Sequence, residues 1–135
     1  MAQPEDLRDE FVRLWIRKAD EDLALTEHLL GEDTPYLSAV AFHSQQAAEK
    51  YLKAFLVHRQ CEFSKTHDLD RLLTLVATVN KPLAARLAPL SELSPYAVEA
   101  RYPSDYPEVT NAEAEHARDL AKQVGEAVKK TIGRL

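Results

Sequence analysis

FHSQQAAEKYLKAFL, residues Phe42 to Leu56, is the stretch that decides the fold. It holds no glycine or proline and is rich in Ala, Leu, Gln, Glu and Lys, all good helix formers. On a helical wheel Leu37, Val40, Ala41, Ala47, Ala48, Tyr51, Leu52, Phe55 and Leu56 cover roughly half the circumference. So wide an apolar face should touch several neighbours, within the bundle or across a dimer. Thr34-Pro35 reads as its start, an N-cap followed by proline at N1, and the helix should run to about Arg59.

Upstream, from about Asp6 to Leu30, Val12, Ile16, Ala19, Leu23 and Leu30 recur at helical spacing, flanked by Phe11, Trp15 and Leu29. Gly31 reads as the C′ stop. Downstream, Cys61 to Lys65 reads as a loop. Thr66 is a candidate cap for a third helix of about Asp68 to Val79, with Leu69, Leu72, Leu73 and Val76 inside. Asn80-Lys81-Pro82 ends it. Leu83, Leu87, Leu90 and Leu93 stay in register through a segment that Pro89 and Pro95 must kink or interrupt. Residues Tyr96 to Val109 turn proline-rich. Thr110-x-x-Glu113 is then a capping box for a last helix to about Ile132, whose inner side carries Ala117, Leu120, Ala121, Val124 and Val128. The pattern predicts one all-α domain over residues 1–135, an antiparallel up-and-down bundle of four or five helices.

Composition agrees. At 135 residues the chain suits one domain, and 45% hydrophobic with 29% charged residues argues against disorder. The single Cys61 cannot form an internal disulfide, and the N-terminus carries four acidic residues with no long apolar run. A soluble, cytoplasmic protein is therefore expected. A net charge of −5 argues against general binding to long nucleic acid, which draws on many cationic phosphate contacts. The five histidines are scattered, none at i,i+3 or i,i+4 from another, so neither a metal nor a cofactor is expected.

Four places stand out chemically. Asp22 falls inside the apolar arc of the first helix and needs a partner, for which Lys50, Lys53, His67 and Arg101 are the candidates. Phe42, Gln46, Glu49 and Lys53 form a narrow mixed stripe. It reads either as a solvated face with an i,i+4 ion pair or as a dimer or ligand surface. Lys65-Thr66-His67-Asp68 reads as a helix start, in which His67 alone lacks a structural reason. Finally, Arg101 with Tyr96, Tyr102 and Tyr106 could grip phosphate and stack on bases, or could equally anchor a packed loop.

Taken in order, Trp15 with Ala19-x-x-Asp22-Leu23, QQAAEKYLKAFL, THDL and YAVEARYP resemble the prokaryotic HEPN domain family. The resemblance implies a helical bundle, frequent homodimers, nucleotide or RNA binding, and common pairing with a separately encoded minimal nucleotidyltransferase in toxin–antitoxin modules. It also implies, for many members, a metal-independent ribonuclease motif of Arg-x4–6-His. Here no arginine has a histidine at that spacing; Arg59 to His67 is one step too long, and Arg101 has Tyr106 at the x4 position. Tyrosine, with a reference pKa near 10, is a poor general base at neutral pH. The expectation is a non-catalytic accessory protein whose polar site involves Arg101, Tyr102, His67, Lys53 and Tyr106, with Asp22, Gln46, Glu49 and Lys50 as buried or partner-facing polar groups. The alternatives are a ribonuclease toxin with a diverged site, in which Arg101, Tyr106 and His67 meet across a dimer, and a purely structural interaction module.

Overall fold

The computed structural model describes residues 4–97 and 108–133, and among them all regular structure is helical. Helix α1 spans Pro4–Gly31, α2 Leu37–His58, α3 Leu69–Val79, α4 Lys81–Arg86 and α5 Asn111–Ile132, with a 3-10 segment, Ala88–Tyr96, between the last two. As the wide apolar face requires, α2 is central and packs against α1, α3, α5 and the 3-10 segment. Tyr51, Leu52, Ala54, Phe55 and Leu56 are wholly buried and join Val12, Ala19, Leu72, Leu90, Leu93, Val124 and Val128 in one core. Contacts of Asp22 with His43 and Lys50, and of Trp15 with Lys53, run in opposite chain directions, so α1 and α2 are antiparallel.

Local signals decide most boundaries. Thr110 and Glu113 form both halves of the capping box that starts α5. Asn80 ends α3 and caps α4 by accepting from the Leu83 amide at 3.0 Å. Pro89 and Pro95 cannot extend an α-helix, and their segment is the 3-10 one.

Three starts and stops differ from expectation. Helix α2 begins at Leu37, because Thr34 accepts from the Tyr36 amide in a tight turn and does not cap the helix. Gly31 is the last residue of α1, and the left-handed residue after it is Asp33, φ 53°. Helix α3 is capped by Asp68, whose carboxylate accepts from the amides of Asp70 and Arg71, while Thr66 turns inward on the Asp68 amide. Phe11, expected to flank the core, is 58% exposed.

One turn places the site. After α2, Gln60 takes a left-handed φ of 55° and the Cys61 amide reaches back to the Leu56 carbonyl at 2.9 Å, a helix-ending pair of features. The chain reverses there, and the link into α3 brings His67 to Glu49.

Candidate functional site

Gln45, Glu49 and Lys53 are spaced one turn apart on α2, so their side chains line one strip of the helix. Glu49 is 2% exposed and Lys53 6%, and the Lys53 ammonium lies 2.9 Å from the Glu49 carboxylate. A solvated i,i+4 pair is one expectation from the sequence for Glu49 and Lys53; burial overturns it. The cause is tertiary: the Lys53 ammonium sits 5.3 Å from the Trp15 ring centre and 6.0 Å from that of Phe63, so α1 and the loop after α2 roof it over. Aromatic faces attract a cation, which partly offsets its loss of water.

His67 Nδ1 lies 3.0 and 3.2 Å from the two Glu49 oxygens. A carboxylate can only accept here, so Nδ1 carries the proton and donates, leaving Nε2 on the far side of the ring. Gln45, wholly buried, donates to the His67 carbonyl at 3.3 Å and accepts from Gln46 at 2.8 Å. Buried groups of α2 thus hold the histidine by ring and by backbone, while its side chain stays 72% exposed. An open depression lined by Val57, Gln60, Cys61, Glu62 and Phe63 shares Phe63 with this cluster.

Asp22 is in a second cluster. Its side chain is 12% exposed, with the Lys50 ammonium at 2.5 Å and His43 Nδ1 at 2.9 Å. Of its four candidate partners, Lys50 is the one found. Lys53 and His67 belong to Glu49, and Arg101 lies outside the described residues. His43 is not among those candidates, although it stands seven residues, two helical turns, before Lys50 on the same side of α2. Tyr51 donates a short hydrogen bond to Asp20, which also accepts from Lys129 at 2.8 Å. Burial and then the Asp20 carboxylate push the Tyr51 hydroxyl well above its ordinary pKa. That link crosses three helices, and no single-helix pattern announces it.

Of the residues marked from sequence, His67, Lys53, Glu49 and Gln46 come together, with Gln45 as the member that sequence reasoning misses. Gln45 has a signal, since it is a polar side chain in the middle of the apolar arc of α2. Asp22 and Lys50 form a separate pair. Arg101, Tyr102 and Tyr106 lie outside the described residues. Among those described, no three His, Cys, Asp or Glu side chains gather as a metal site, and no helix is long and apolar enough to cross a membrane.

Comparison with known proteins bears on this architecture. No match was found among curated proteins. The crystal structure of ST0689, an archaeal HEPN homologue, is similar with a TM-score of 0.68 and 24% identity, over 90% of this chain and 98% of that one, a likeness of fold. The family model for the HEPN domain matches residues 12–131, from buried Val12 in α1 to the last turn of α5. The chain belongs to the HEPN domain family.

Proposed function

We propose that this protein is a HEPN accessory protein that binds a nucleotide or RNA phosphate at His67 and works with a separately encoded nucleotidyltransferase. HEPN membership supports a nucleotide- or RNA-linked role at the level of the family. The observation that carries the reading to a residue is His67 itself. A histidine 72% exposed has no need of two buried partners for stability, yet Glu49 and Gln45 fix its ring and its carbonyl. Such fixing has a use when the outward edge must meet a ligand in one orientation, because the ordering entropy is then already spent. Phe63, at the edge of the neighbouring depression, offers a face for a base.

Calorimetry with ATP and with a short single-stranded RNA tests this. Binding that falls at least about tenfold in His67→Ala supports it; affinity unchanged in both His67→Ala and Arg101→Ala moves the site elsewhere. Co-purification of a nucleotidyltransferase from its own host tests the partner.

A second reading, RNA cleavage, is favoured by the same geometry. A histidine whose Nδ1–H is held by a buried carboxylate turns the lone pair of Nε2 outward, in the orientation a general base uses. Purified protein in chelator should then cut RNA and lose that activity in His67→Ala. RNA left intact at high protein concentration overturns this second reading and leaves the first standing.

A further inference from the structure

A lysine and a histidine share one carboxylate twice along α2. Glu49 takes the Lys53 ammonium on Oε2 at 2.9 Å and His67 Nδ1 on Oε1 at 3.0 Å. Asp22, reaching across from α1, takes the Lys50 ammonium on Oδ2 at 2.5 Å and His43 Nδ1 on Oδ1 at 2.9 Å. In both clusters the lysine already supplies the counter-charge, so neutralising the carboxylate does not require the histidine. What the carboxylate does for the histidine is fix it: an acceptor-only partner puts the proton on Nδ1 and the lone pair on Nε2. The His43 ring is held a second time, edge-on to Phe42 with ring centres 5.1 Å apart at 81°. Its Nε2 has no protein partner among the described residues and is not sealed from solvent.

The two clusters border one strip of α2. Gln46, partly exposed, stands within about 60° of His43, Lys50 and Glu49 on a helical wheel. It donates to Gln45, which in turn holds the His67 carbonyl. His43 precedes Glu49 by six residues, about 9 Å of helix. Two copies of the same fixed group on neighbouring parts of one helix suit a ligand that itself repeats.

The chemistry of the groups names the repeating unit. A lone pair on Nε2 is an acceptor, and the donor that an RNA strand carries at every nucleotide is the ribose 2′-hydroxyl. Beside it the Lys50 ammonium, 23% exposed, gives one N–H to Asp22 and keeps two for a phosphate oxygen. Lys53, enclosed by Trp15 and Phe63, has no such freedom. The Asp22 cluster thus offers an acceptor and a cationic donor together, the complement of one ribose with its phosphate.

We propose that Asp22, His43 and Lys50 form a second ribonucleotide-binding site, with His43 Nε2 accepting from a ribose 2′-hydroxyl and Lys50 donating to a phosphate oxygen, so that the ligand is an RNA strand and not a free nucleotide. The proposal rests on His67 as a ligand-binding residue and extends that site along α2. A net charge of −5 fits a short strand held at defined groups better than a long one held by charge.

Fluorescence anisotropy of the full chain with a labelled oligouridylate of about eight nucleotides, and with the oligodeoxyuridylate of equal length, tests it. Uracil has no exocyclic amine, so the two strands differ at the 2′ position alone. His43→Phe keeps a ring against Phe42 and removes the acceptor, and His43→Ala is the second variant; circular dichroism checks that each is folded. Both should weaken RNA binding by at least about fivefold and DNA binding by less than about twofold, while ATP affinity by calorimetry, set at His67, stays within about twofold of the parent. Lys50→Gln should weaken RNA and DNA alike and lower the slope of log affinity against log salt by about 0.7, one phosphate contact on a single strand. RNA affinity that falls in His67→Ala but not in either His43 variant overturns the second site and leaves the His67 reading standing. Equal losses for RNA and DNA in the His43 variants also overturn it, since they mark a role in the fold alone. RNA and ATP binding both unchanged in His67→Ala would remove the reading on which the proposal rests.

Discussion

Replacing Glu49 by glutamine keeps the shape of the side chain and removes its charge, which isolates what the carboxylate does. Its three neighbours are unequally exposed. Lys53 is 6% exposed and enclosed by Trp15 and Phe63, so its ammonium loses its counter-charge without regaining water. His67 is 72% exposed and can turn to solvent, and the Gln45 contact at 3.5 Å is long. Nearly all of the cost therefore falls on Lys53, and removing one member of a buried ion pair costs about 3–5 kcal/mol. The flexible lysine stem lets the ammonium seek the surface, which places Glu49→Gln near the lower end, at about 3 kcal/mol. For a chain of this size that lowers the melting temperature by roughly 10 °C. Urea denaturation of Glu49→Gln, Lys53→Met and the double variant measures it. The double variant, with no stranded charge, should recover about 1–3 kcal/mol relative to Glu49→Gln. A Glu49→Gln protein within about 0.5 kcal/mol of the parent, or a double variant no better than the single, would refute the claim that a desolvated Lys53 depends on Glu49.

Asp22→Asn should cost about 1–2 kcal/mol by urea midpoint, since Lys50 and His43 lose a shared negative charge and one of their two acceptor oxygens but are exposed enough to reach water. In Gly125→Ala the new Cβ would lie 2.8 Å from two ring carbons of the buried Tyr51, so overpacking of about 1–3 kcal/mol outweighs the helix gain of about 1 kcal/mol. Its midpoint should fall, and a rise would show that the ring yields freely. Burial, and then the Arg8 guanidinium, lower the pKa of His58 from 6.5, against a smaller opposing effect of Asp9 and with Arg59 adding to the lowering. The unfolded chain therefore takes up this proton first, and His58 favours folding above pH 6.5, an advantage lost as pH falls below that value through the folded pKa. His58→Gln should flatten stability against pH in that window, and an unchanged slope would count against the assignment.

Much of the fold was legible because helices are built from local spacing. The arc from Leu37 to Leu56 made α2 central, and Thr110 with Glu113 started α5, through contacts no more than a few residues apart. The misplaced starts, Thr34 and Thr66, are sites where several hydroxyls and carboxylates could each satisfy the first amides of a helix, and the choice fell to the surrounding turn. The polar site was legible only in part. Glu49, Lys53 and His67 were each marked, yet the sequence offered a solvated strip on one side and a helix cap on the other.

What the sequence by itself determined, then, is the central helix, its half-circumference of apolar side chains and the pairing of polar residues one turn apart, because all of these follow from a helical period of about 3.6 residues. Whether the strip from Gln45 to Lys53 faces water or is enclosed was decided by Trp15 and Phe63, and which histidine meets which carboxylate by the reversal at Gln60 and the docking of α1. Most of those partners stand 18 to 38 residues apart, and a helix wheel carries no information about which neighbour its polar edge will meet.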